Sequence, residues 1–357
     1  MPWPTITQFG DLPPALILGV LVLLFGIAHR YRAPQGPSPR KDGPGETVIQ
    51  PLIGFDWTAE EPQKFRPFKP TYHISMALQS DAPSNLITID KDYLDRVNLR
   101  RGLIRQHGQK VHGCVLGGQE AVRELYAFLM GRYLPTRFPT IFQLSSDKGK
   151  VCNVATGKTH PTAATVDSAA ALRAMGETVE EDMFLLHDTP QGHKSVAFVC
   201  CFAGGFDPST KLGKGLKDIH GPVPSFDKIG PSMERFFSKL QVGKNVKRLN
   251  WVMQTHDELL VCDSHATHNT GDGHGEIDLD QTFLRVELQT LSRLPQTRAV
   301  LFSFKTYLYP IRQIKDEGLG PELAAAVEGL KAGNAPGTWA YKGAELWAET
   351  VCKYLRA

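Results

Sequence analysis

Between Leu12 and Ala28 the chain reads LPPALILGVLVLLFGIA, seventeen residues without a charge. A segment apolar on every side belongs in a core or a bilayer, not on a soluble surface. This run sits at the short end of what crosses a hydrocarbon layer of ~30 Å. His29 and Tyr31 extend it with rings suited to the interface. Asp11 but no Lys or Arg precedes it, whereas Arg30, Arg32, Arg40 and Lys41 follow. A cleaved signal peptide would carry its basic residues first and a small-x-small site afterwards. The charge order therefore predicts an uncleaved, single-pass anchor with the rest of the chain on the cytosolic side. Ala33–Gly45 (APQGPSPRKDGPG) reads as a semi-extended spacer. The expected organisation is an anchor over 1–32, a Pro/Gly-rich linker over 33–64 and a folded domain over 65–357.

The six cysteines bound the chemistry of that domain. None lies in a C-x-x-C pair, which excludes zinc fingers, iron–sulfur clusters and thioredoxin-like exchange. Buried free thiols suit a reducing compartment. A net charge of +3 without an arginine-rich block excludes nucleic acid as the partner.

Periodicity assigns the elements. Tyr72–Tyr93 has a strand-like start, a turn around Ala82–Asn85 and a short second run. Val122, Leu125, Phe128 and Leu129 have helical spacing within Gln119–Leu134, and Pro135 is expected to end that helix. Ser195–Phe202 reads as a buried strand bounded by Gly204–Gly205, Pro231–Leu240 as a helix, and Val246–Met253 as a strand. Phe283–Leu291 and Ala299–Tyr309 read as a hairpin, although the first could equally be a helix turn. Pro321–Lys331 and Ala344–Leu355 read as helices. Several strands flanked by helices predict an α+β fold with an antiparallel sheet.

Nucleotide loops, a G-x-S-x-G elbow and H-E-x-x-H are absent. Two D-x-D strings, Asp90–Asp92 and Asp278–Asp280, have the form of a glycosyltransferase metal site. Both lie beside expected strand starts, where acidic residues are simply solvated. His256, His265, His268 and His274 crowd a Gly/Asp-rich stretch that offers imidazoles to a metal but reads as a surface loop. His220 precedes Gly221, Pro222 and Pro224, so it is either a histidine satisfied in a rigid turn or a fixed ligand. If Leu284–Leu291 is a strand, Arg285, Glu287 and Gln289 share one face, and Leu284, Val286 and Leu288 the other. That polar row either lines a cavity or faces water. Lys305 and Tyr307 share a face of the next strand and form a candidate donor pair.

These strings together resemble a known family. FKPTYHISMAL (Phe68–Leu78), IDKDY (Ile89–Tyr93), YLPTRFPTIF (Tyr133–Phe142), Asn153–Gly157, KLGKGLKDIHGPV (Lys211–Val223), GPSMERFF (Gly230–Phe237), VKRLNW (Val246–Trp251) and Leu284–Tyr309 occur in the order seen in the heme-dependent oxidative N-demethylase alpha-subunit-like family. Each is weak alone; eight in register are specific. The resemblance implies a heme-binding, PAS-like fold that has become an enzyme, with heme b as cofactor. Its bacterial relative activates oxygen and removes a methyl group from a secondary amine, releasing formaldehyde. Separate flavin and iron–sulfur subunits deliver electrons from NADPH, which implies an external NAD(P)H-dependent reductase here. His220, in the I-H-x-P-V-P string, becomes the candidate iron ligand. Arg285, Glu287 and Gln289 match R-x-E-x-Q, Tyr307 matches T-Y, and Arg248 and Asn250 match R-x-N-W. The expected catalytic set is Glu287, Tyr307 and Arg285. Cofactor binding falls to His220, Arg248, Asn250 and Gln289, with Arg248 suited to a heme propionate. The chain departs from the family at Leu288 (usually Arg), Ser225 (usually Gly) and near Leu86 (usually Trp).

The implied function is a heme-dependent monooxygenase-type oxidation of a small molecule, at the endoplasmic reticulum membrane with the domain in the cytosol. The competing functions are a non-catalytic heme- or ligand-binding protein of the same fold and, on the D-x-D strings, a membrane-anchored glycosyltransferase.

Overall fold

In the computed structural model, residues 47–66, 68–163, 167–263 and 277–357 are described. The expected anchor Leu12–Ala28, the spacer Ala33–Gly45 and His265, His268 and His274 lie outside them. Among the described residues, no helix is long and apolar enough to cross a membrane.

Among the described residues ten strands follow in chain order: β1 Gln79–Asp81, β2 His112–Cys114, β3 Phe142–Leu144, β4 Lys150–Asn153, β5 Lys158–Pro161, β6 Asp182–Thr189, β7 Gly192–Val199, β8 Asn245–Gln254, β9 Phe283–Arg293 and β10 Val300–Pro310. Seven form one sheet, ordered β1-β8-β9-β10-β6-β7-β2, with β3-β4-β5 a small second sheet. Every strand pair is antiparallel, and helices flank the main sheet, which is the α+β architecture the periodicity predicts.

The central hairpin forms as expected, and its register decides which side chains meet. Glu287 pairs with Thr306 on β10 and with Asn250 on β8, while Val286 pairs with Tyr307 and Trp251. Side chains alternate along a strand, so two faces follow. One carries Arg248, Asn250, Arg285, Glu287, Gln289, Leu291, Phe302 and Phe304. Its apolar part packs on the helix Gly230–Lys239 through Met233 and Phe237. The other carries Leu284, Val286, Lys305, Tyr307 and Tyr309. It is covered by the C-terminal helices Gly320–Glu328 and Ala344–Arg356, whose Leu323, Trp347 and Val351 are fully buried. Each such side chain contributes about 1.5–3 kcal/mol on leaving water.

Three local expectations are corrected. Tyr72–Leu78 forms no strand; the chain there lies on glycines instead. A methyl group at Gly329 would meet the Pro70 carbonyl oxygen at 2.0 Å, and one at Gly333 the Tyr72 oxygen at 1.4 Å. The Ile74 N–H donates to Asn334 Oδ1 at 2.7 Å, a partner 260 residues away. Pro135 does not end its helix. Gln119–Phe128 widens into a π-turn over Leu129–Tyr133 and resumes as Leu134–Arg137. The wider turn frees a carbonyl from its usual i−4 partner, so a residue without an N–H fits there. Asp90 is buried, not solvated; its partner is described below.

The helix Tyr93–His107 has no counterpart in the sequence reading. Its inward stripe is Tyr93, Val97, Arg100 and Ile104, so a charge sits where an apolar residue would have betrayed the period. Arg100 is fully buried, and its guanidinium meets Gly176 O at 2.7 Å, Glu180 O at 3.0 Å and Asp182 Oδ1 at 2.5 Å. Asp182 also accepts the Cys201 and Phe202 N–H groups at 2.7 and 2.9 Å, which ties down the chain leaving β7.

Candidate functional site

Arg285, Glu287 and Gln289 do share a face, and it is neither solvent nor plain core. Glu287 Oε2 accepts from Gln289 Nε2 at 2.9 Å and from Asn250 Nδ2 at 3.3 Å. Arg285 Nε stands 3.9 Å from Glu287 Oε1. The Arg285 guanidinium donates to the Phe202 and Leu259 carbonyls and to Gln254 Oε1. These bonds satisfy most of a fully buried guanidinium, so Arg285 acts as a fixed strut beside Glu287. Gly204 is required above it, because a methyl group there would lie 2.6 Å from Arg285 Nε. The Gly204–Gly205 turn that bounds the strand thus gains a packing role.

Two further residues join this face that periodicity gave no reason to select. Lys342, just beyond the helical turn Thr338–Tyr341, reaches β8 where its pairing with β1 has ended. Its ammonium donates to the Trp251 carbonyl and lies 3.5 Å from Asn250 Oδ1, over the Trp251 and Tyr72 rings. Burial pulls its pKa down to about 8, with the Glu287 charge opposing and Arg248 assisting. Tyr72 arrives on the segment held by Gly329 and Gly333; burial raises its phenol pKa and Arg248 lowers it. The string carrying Tyr72 was visible in the sequence, but nothing marked this residue within it.

Arg248 stands opposite Gln289. Its Nε is buried with no hydrogen-bond partner among the described residues, a costly state for a guanidinium. Burial lowers its pKa, against Tyr72 and Glu287. Such an atom calls for an anion.

His220 follows the turn Leu216–Ile219. Its backbone N–H and ring Nδ1 both meet the Leu216 carbonyl, at 3.0 and 2.8 Å. A carbonyl only accepts, so Nδ1 carries the proton and Nε2 keeps its lone pair. The ring stacks on Phe226, with centroids 4.6 Å apart and planes at 1°. Burial lowers its pKa, and the charges of Arg248 and Lys211 lower it further. Ser225 turns the chain between these rings with φ 58°, a left-handed conformation that favours glycine.

A heme needs one anchored axial donor and a cation for its carboxylates. A neutral imidazole of fixed tautomer and a buried guanidinium, with no hydrogen bond at Nε2 and at Nε respectively among the described residues, fit that demand. Among the described residues no group of three or more His, Cys, Asp or Glu is arranged to hold a bare metal ion.

Tyr307 lies on the opposite face, away from Glu287. It keeps company with Lys305, whose ammonium is 5.4 Å from its ring centroid. Lys305 Nζ donates to Glu180 Oε1 at 2.8 Å and to the Thr88 carbonyl at 2.9 Å, and forms an ion pair with Asp90 Oδ2 at 2.8 Å. Glu181 accepts the Thr88 N–H at 2.7 Å, and burial pushes its pKa up to about 7. The Tyr307 hydroxyl is buried with no hydrogen-bond partner among the described residues. The expected donor pair exists, but it belongs to this charge cluster. Of the other D-x-D string, Asp278 caps a 3-10 turn and Asp280 pairs with Arg312 on the surface. His256 Nδ1 is 3.2 Å from Gln254 Nε2 and accepts the Glu258 N–H.

With this geometry in hand, comparison with known proteins is specific. The family model described as "Haem-dependent oxidative N-demethylase, alpha subunit-like" matches residues 77–352.

Proposed function

Because the chain belongs to the heme-dependent oxidative N-demethylase alpha-subunit-like family, we propose that it is an oxidoreductase acting on a small amine-bearing molecule, with His220 as the residue that would hold the iron of a heme. The observation that carries this reading is the His220 ring, its tautomer set by the Leu216 carbonyl, with no hydrogen bond at Nε2 among the described residues. Heme, when bound, supplies the oxygen chemistry. The b type is what the family resemblance implies, and the sequence carries no C-x-x-C-H string for covalent attachment.

The protein's own groups do the rest. Arg248, whose Nε has no hydrogen-bond partner among the described residues, would hold a propionate oxygen. Glu287, held by Gln289 and Asn250, presents a carboxylate to the substrate's ammonium group and fixes its orientation. Arg285 keeps that carboxylate from turning away. Lys342, whose proton is loosened by burial, exchanges it near neutral pH beside Asn250. Tyr307 has no part in this site. Electrons come from a separate NAD(P)H-dependent protein, since the sequence carries no flavin loop or iron–sulfur spacing. The run Leu12–Ala28, with basic residues only behind it, tethers the domain to the cytosolic face of the endoplasmic reticulum and raises its effective concentration for such a donor.

Heme reconstitution of the purified chain tests the reading. A Soret band is expected, and His220→Ala should lose the nitrogen-ligand signature while His256→Ala keeps it. No Soret band, or an unchanged spectrum in His220→Ala, overturns the assignment. Oxygen-dependent formaldehyde release from secondary amines is expected with a surrogate reductase; heme binding without turnover would make the chain a binding protein.

A further inference from the structure

At the sheet edge formed by β2, far in strand order from β8, a groove of about 1250 Å³ opens between the helices Tyr93–His107 and Ser168–Gly176. Five of its lining residues are cationic: Arg101, Arg105, Lys110, Lys158 and Arg173. Asp167 and Glu177 are the acidic ones. We propose that this groove is a second ligand site, for a small molecule bearing a di- or polyphosphate group.

The cations come from separate elements and converge. Arg101 and Arg105 sit one turn apart on a helix, a like-charge pairing that weakens it unless something anionic compensates. Lys110 lies in the following turn, Lys158 on β5 and Arg173 on the second helix. None of the five forms an ion pair with a carboxylate among the described residues, although the domain pairs many of its other charges. Their fields overlap. Burial lowers the His112 pKa and Arg173 lowers it further, while Arg101 and Lys158 add to the effect of burial at His160.

A solvated basic face would show cations and nothing else. This one also has an unpartnered polar atom in its wall. His112 lines the groove, is 5% exposed, and its Nδ1 has no hydrogen-bond partner among the described residues. The N-terminus of the helix Ser168–Gly176 is already capped by the Asp167 side chain, so side chains, not helix amides, select the ligand. Concavity and size favour a nucleotide-scale molecule over a flat protein contact. Nothing in this site depends on heme.

Calorimetric titration of the full chain with inorganic pyrophosphate, ADP and adenosine tests the proposal. Pyrophosphate and ADP should bind and adenosine should not, with affinity falling as salt rises. Tighter binding of ADP identifies a nucleotide; equal affinity identifies the phosphate group alone. Arg105→Glu combined with Arg173→Glu should weaken binding at least about tenfold, and Lys353→Glu on a distant surface should not. Should the double variant fail to fold, Lys110→Ala in its exposed turn should still weaken binding about threefold. Binding of neither phosphate, or binding untouched by these changes, overturns the proposal and leaves the patch as a surface for an acidic protein.

Discussion

The charge cluster behind the sheet makes a quantitative prediction through Glu181. Its carboxyl is buried, Oε1 accepts the Thr88 N–H, and Oε2 has no hydrogen-bond partner among the described residues. Burial raises its pKa from 4.5 to about 7, with Lys305 opposing and Glu180 assisting. Below pH 4.5 the folded and unfolded chains both hold the proton. Above it the unfolded chain releases the proton first, so stability is greatest at the acid end and is lost as pH rises to about 7. One proton of difference is worth about 1.4 kcal/mol per pH unit, so Glu181 removes up to about 3 kcal/mol across that window. Glu181→Gln keeps an acceptor for Thr88 and removes the titration. Urea unfolding followed by tryptophan fluorescence at pH 5, 6, 7 and 8 should show the variant gaining on the wild type by about 2–3 kcal/mol between the extremes. Two curves that run parallel over the whole range would refute the argument, because the carboxyl would then titrate alike in both states.

Two further substitutions probe the other face. Ser225→Gly relieves a left-handed backbone and should raise the urea midpoint by an amount equivalent to about 0.5–1 kcal/mol, less than the full strain because glycine also loosens the unfolded chain. An unchanged or lower midpoint would mean the serine is not strained there. Gly204→Ala places a methyl group against the Arg285 guanidinium and should cost about 1–3 kcal/mol of overpacking in the same assay; a neutral result would show that Arg285 can yield.

Much of this was legible in the sequence because alternation is a local signal. Arg285, Glu287 and Gln289 could be set on one face of β9, and Leu288 on the other, from the strand alone. Tyr307 could not be placed against them, because its face depends on how β10 pairs with β9. One residue of register decides whether it meets Glu287 or Val286, and the loop sequence does not state that number. Long-range placement escaped for a similar reason. Lys342 and Tyr72 reach β8 through chain segments distant in sequence, held by close backbone contacts at Gly329 and Gly333. Arg100 hid a whole helix by putting a charge on its inward side. Asp90 looked like a surface residue because its counter-charge, Lys305, lies more than two hundred positions away.

The paired parity of β9 and β10 has a consequence for folding itself. In most hairpins one face is apolar and the other wet, so a slip of two positions returns each side chain to an acceptable surface. Here both faces carry obligate polar partners. A two-residue slip would strip Lys305 of Asp90 and Glu180 on one side and pull Glu287 away from Asn250 on the other. The hairpin therefore works as a key cut on both edges: it turns in a single alignment, and sheet assembly and site assembly become the same event.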